Sequence, residues 1–62
     1  MQRIIMFNQL SDEDIIKIES LFLNEDFEIE LSKYSKSLTI YGNNDTLAYV
    51  KRTLLINGFE II

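Results

Sequence analysis

"DFEIELSKYSKSLTIY", residues 26–41, is the stretch whose reading decides the fold. Its first part alternates, with Phe27, Ile29 and Leu31 on one parity and Asp26, Glu28 and Glu30 on the other. Successive side chains of a strand point to opposite faces, so this is a strand with one buried face and one wet face. "SLTIY" (37–41) alternates again, with Leu38 and Ile40 facing one way and Ser37, Thr39 and Tyr41 the other. "KYSK" (33–36) between them is polar and short, as a hairpin connection must be. The hairpin therefore presents one apolar face that other elements have to cover.

Upstream of it the period changes. Ile15, Ile18, Leu21 and Phe22 fall on one helical stripe, while Lys17, Ser20 and Asn24 fall opposite. "LSDEDII" (10–16) reads as the start of that helix. Ser11 is the N-cap, Asp14 completes a reciprocal capping box, and Leu10 and Ile15 occupy the staple positions. Asp12, Glu13 and Asp14 complement the positive end of the helix dipole. Consecutive helical residues point in different directions, so these three acids do not converge on one hard cation such as calcium or magnesium. Before the helix, "RIIMF" (3–7) is a short β-rich apolar run.

Downstream, "GNND" (42–45) breaks the strand and offers Asn44 or Asp45 as the next cap. Leu47, Val50 and Leu54 then form the buried stripe of a second helix, and Asn57-Gly58 stops it. "FEII" (59–62) reads as a last strand. The expected order is β-α-β-β-α-β. That is the ferredoxin-like split fold of the α+β class: a four-stranded antiparallel sheet with two helices on one face, in a single domain over 1–62.

On these residues the chain resembles the heavy-metal-associated, copper-chaperone-like domain family almost end to end. Those domains carry an M-x-C-x-x-C loop after the first strand, followed by an apolar residue and "IE" in the first helix. Here the same spacing reads "SDEDIIKIE", and "NGFEII" stands for the closing glycine-aromatic pair and short strand. Ser11 and Asp14 occupy the places of the two cysteines. The resemblance implies the fold and a habit of docking on other proteins. Soft-metal transport does not carry over, because a hydroxyl and a carboxylate replace poorly the two thiolates around copper(I).

Composition removes several chemistries. The 62 residues contain no cysteine and no histidine, which excludes disulfides and thiolate sites and removes the commonest general base and metal ligand. No pair of Asp, Glu, Lys or Tyr can be assigned to one pocket by spacing, and so short a chain has little room for a deep cleft. No enzyme activity, catalytic residue, cofactor or metal is therefore expected. The net charge of −4 disfavours nucleic acid and anionic membranes as partners. The longest apolar run, Ile4–Phe7, is far too short to span a bilayer, and "MQRIIMF" is too short for a signal peptide. A cytoplasmic location is the expectation.

The candidate surfaces follow from the fold. If Ile4 and Met6 point at the helices, then Arg3, Ile5 and Phe7 point at solvent, beside Thr39 and Tyr41 and, from the last strand, Glu60 and Ile62. RNA-recognition motifs of this topology place stacking aromatics there, yet Glu28, Glu30 and Glu60 share the surface and only Arg3 opposes them. On the second helix Tyr49 and Ile56, seven residues apart, share an outer face, as Ile16 and Leu23 do on the first. The expected function is that of a small noncatalytic protein-interaction domain. It would bind an unidentified protein or itself through Ile5, Phe7 and Tyr41, or through Tyr49 and Ile56. The alternatives are a degenerate metal-binding domain using oxygen ligands and Met6, and a nucleic-acid-associated accessory domain.

Overall fold

A computed structural model describes all residues, 1–62. Its elements run β1 (Gln2–Met6), α1 (Asp12–Leu21), β2 (Glu28–Ser32), β3 (Ser37–Tyr41) and α2 (Asn44–Ile56). The three strands form one antiparallel sheet in the order β1-β3-β2. Its register is unbroken, pairing Ile5 with Leu38 and Arg3 with Ile40 on one side of β3 and Leu31 with Leu38 and Ile29 with Ile40 on the other. Both helices cover the face carrying Ile5, Leu38 and Ile40. These three pack with Phe7, Leu10, Ile18, Phe22, Val50 and Leu54 into the buried core.

The hairpin closes through Lys33–Lys36. The Lys36 N–H donates to the Lys33 carbonyl, the Ser35 N–H donates to Ser32 Oγ, and Lys36 itself lies at φ +53. At α1 the capping box is complete. Ser11 Oγ accepts the Asp14 N–H at 3.1 Å, and Asp14 Oδ2 accepts the Ser11 N–H at 3.1 Å. Leu10, at the staple position, is buried, and Ile15 packs against the core.

The cap of α2 lies earlier than Asn44 or Asp45: it is Asn43, whose side-chain oxygen accepts the Thr46 N–H at 2.9 Å. Any of three consecutive polar residues satisfies the sequence rule, and the one three places before a free amide wins. Gly42 is where the chain bends into this cap. A Cβ there would meet the Thr46 side chain at 2.8 Å, so the turn has room for glycine alone unless α2's first turn shifts.

At the other end of α2, Gly58 takes φ +87. Its N–H donates to the Leu55 carbonyl, and the Phe59 N–H donates to that of Leu54. This is a Schellman closure, and the main departure from the expected topology comes just after it. The sheet has three strands and not four. "FEII" contributes only a bridge between Phe7 and Ile61, with the Ile62 N–H donating to the Met6 carbonyl. In the register set by Phe7 and Ile61, Ile62 is the one residue of this segment that stands opposite β1, at Met6.

The second correction concerns β1. Ile5 and Phe7 do not face solvent. Each is only 2% exposed and lies in the core, whereas Ile4 is 57% and Met6 42% exposed. A one-residue change of parity moves a whole strand's side chains to the other face. An apolar run such as "IIMF" offers apolar residues on both parities and so does not choose between them.

Candidate functional site: the open face of the sheet

The face of the sheet turned away from the helices has three rows. These are Gln2–Tyr41–Glu28, Ile4–Thr39–Glu30 and Met6–Ser37–Ser32. Ile62 lies beside Met6, carried there by the bridge at Phe7 and Ile61. The surface is thus apolar along β1, polar along β3 and acidic along β2. It bears no cation. Arg3 is turned to the helix side, where its Nε donates to Asn44 Oδ1 at 2.9 Å.

Tyr41 belongs to this face, as expected, and its ring is tethered. The phenol donates to Glu30 Oε2 at 3.3 Å, a diagonal neighbour across β2 and β3. The Glu30 carboxylate, together with partial desolvation and the nearby Glu28, holds the Tyr41 phenol above its ordinary pKa. A nucleic-acid platform needs free aromatic faces and a positive surround to hold phosphates. This face offers one tethered ring among carboxylates.

The other expected residues scatter. Tyr49 does not stand opposite the core. Its ring meets Phe22 and Phe27 edge-on, with centroids 6.3 and 6.2 Å away, and Phe22 and Phe27 lie 6.0 Å from each other. Its phenol donates to Glu25 Oε2, a short hydrogen bond that is the main reason its pKa is raised. This triangle clasps α2 to the end of α1 and the start of β2. Ile56 is 76% exposed at the last turn of α2 and joins neither Tyr49's triangle nor Tyr41's face.

Ile62 was expected on this face, and Ile4 and Met6 are the exposed residues of the site that the sequence reading turned toward the helices. One signal could have found these two. Extending the window from 3–7 to 2–8 puts both Gln2 and Asn8 on the even parity, which marks that parity as the wet one.

The loop end of the domain, where the resemblance would put a metal, is a shallow hollow lined by Asn8, Gln9, Asp14, Gly58 and Glu60 beside Phe7 and Phe59. Asp14 is engaged in the capping box, and Asp12 pairs with Lys33 at 3.1 Å. Met6 is on the opposite side of the sheet from α1. Nowhere do three His, Cys, Asp or Glu side chains come together to hold an ion. No helix is long and apolar enough to cross a membrane. No family model, curated protein or solved structure matches this chain.

Proposed function

We propose that the chain is a noncatalytic protein-interaction domain of the ferredoxin-like kind, similar in plan to a metal-chaperone domain whose thiolate loop is replaced by a helix cap. The strand order β1-β3-β2, with residue 61 beside β1, supports that plan. The observation that carries the functional reading is the open face. It sets exposed Ile4, Met6 and Ile62 along one side and Glu28 and Glu30 along the other, with the β3 column of Ser37, Thr39 and Tyr41 between them and no cation on the face. Clustered exposed apolar residues rimmed by polar ones mark contact surfaces, and the acids repel phosphate-bearing partners.

Ile4→Lys combined with Met6→Lys tests it. Both side chains already stand in water, so the fold and its melting transition should survive. Captured protein, or a self-associated mass if the partner is a second copy, should be lost. Equal capture and equal mass for both proteins would defeat the reading.

A further inference from the structure

We propose that β2 is a strand-addition edge, whose occupant is an extended polypeptide segment alternating apolar and basic residues. This deepens the interaction reading above and rests on it. The argument begins with the backbone. The Phe7 N–H donates to the Lys36 carbonyl and the Gly42 N–H to that of Met1, so odd-numbered residues of β1 turn their peptide groups toward β3. Their partners Leu38 and Ile40 therefore face β1, which leaves Ser37, Thr39 and Tyr41 to bond β2. On β2 the residues opposite these are Glu28, Glu30 and Ser32. Ile29 and Leu31 consequently turn their N–H and C=O groups outward, where no further strand lies. None of the hydrogen bonds made outside the ladders reaches either residue.

Sheet edges are ordinarily blunted by proline, bulges or charged side chains, lysine above all, and the only charges on β2 are Glu28 and Glu30, which repel acidic strands and not basic ones. β2 has no proline, no lysine between Glu28 and Ser32, and no break in its register. The opposite edge differs, because the C-terminal residues already lie against β1 there.

Side chains then specify the occupant. On the helix side Ile29 and Leu31 are only half-buried, although Leu38 and Ile40 beside them are fully buried. Apolar residues on an added strand would complete their cover. On the open side Glu28 and Glu30 have no cation on their face, and lysine or arginine placed across from them makes favourable cross-strand pairs. Main-chain bonds give such a complex its affinity and the alternating side chains its selectivity. A second copy is the poorer occupant. The antiparallel register pairing the whole of β2 with itself sets Glu30 against its own counterpart, like charge against like.

The probe is a short end-blocked peptide of alternating lysine and valine, added to the intact 15N-labelled protein. Amide exchange at Ile29 and Leu31 should slow by about tenfold or more when the peptide binds. Glu28→Lys with Glu30→Lys, exposed changes that give up the Tyr41 hydrogen bond but leave the core untouched, should weaken binding by about tenfold in a protein whose cooperative melting shows it folded. Absent binding, binding without protection of Ile29 and Leu31, or binding indifferent to the charge reversal overturns the proposal. The Ile4→Lys, Met6→Lys protein separates this from the broader reading. If it loses the peptide while Ile29 and Leu31 were never protected, the open face binds and the edge does not. If both proteins show protection at Ile29 and Leu31, the edge stands without the apolar column.

Discussion

Ser11 and Asp14 show how a cluster that looks like ligands becomes structure. Each supplies the other's missing partner, one side chain to one backbone N–H in each direction. Ser11→Ala should therefore lower stability by about 1 kcal/mol in urea denaturation, and Ser11→Asp should restore most of it. This cap was legible because only Ser11 stands at the right distance before the apolar stripe. Asn43 was not, because Asn43, Asn44 and Asp45 are equally able to cap and only the start of the helix decides among them. Tyr49 was misplaced for a related reason. Helical spacing puts it off the Leu47–Val50–Leu54 stripe, but spacing on one helix says nothing of Phe22 and Phe27, which reach it from the end of α1 and the start of β2.

Among the elements, β2 and β3 were read with their correct faces and β1 with the opposite one. The difference is physical. Glu28, Glu30 and Thr39 interrupt the apolar residues of their strands and announce the wet face, while the four-residue apolar run Ile4–Phe7, three in β1 and one just past it, leaves both faces equivalent. The two readings of β1 separate sharply in a pair of variants. Ile5→Lys buries an unpaired ammonium among Leu38, Ile18 and Ile40 and should destabilise the domain by more than about 4 kcal/mol. Ile4→Lys should change stability by no more than about 0.5 kcal/mol, the usual scale for surface substitutions. Denaturation midpoints of the two proteins check this, and similar losses for both would reinstate the rejected parity. The last segment belongs to the same scale. Its apolar content marked it correctly as lying against the sheet, but not the register, which sets only Ile62 of the segment opposite a residue of β1.

For the whole molecule, the core is small and its margin depends on side chains that clasp one layer to another. The Tyr49 triangle is one such clasp, and its hydrogen bond to Glu25 gives it a pH dependence. A phenol whose pKa is raised on folding holds its proton more tightly in the folded chain. Its contribution is complete below the ordinary phenol range near about pH 10 and is lost as pH climbs toward the folded value. Tyr41 acts in the same direction through Glu30. Melting temperature should thus fall between about pH 9 and about pH 11, and the fall should be shallower in Tyr49→Phe. Parallel curves for the two proteins would mean that Glu25 does not favour the neutral phenol.

The proposed function turns, at this scale, on which side of the molecule would meet a partner. The helical side leaves Ile16 exposed on α1, Leu23 just past its end and Leu55 and Ile56 at the last turn of α2, whereas the sheet carries Ile4, Met6, Tyr41 and Ile62 on one face with an acidic column. The direct measurement is the 1H–15N spectrum of the labelled protein with and without a partner captured by the wild type and not by the Ile4→Lys, Met6→Lys protein. Selective broadening or shifting at Ile4, Met6, Thr39 and Tyr41, extending into Ile29 and Leu31, is the predicted result. Changes confined to the helical side, at Ile16, Leu23, Tyr49 and Ile56, with the sheet signals untouched, would contradict the account.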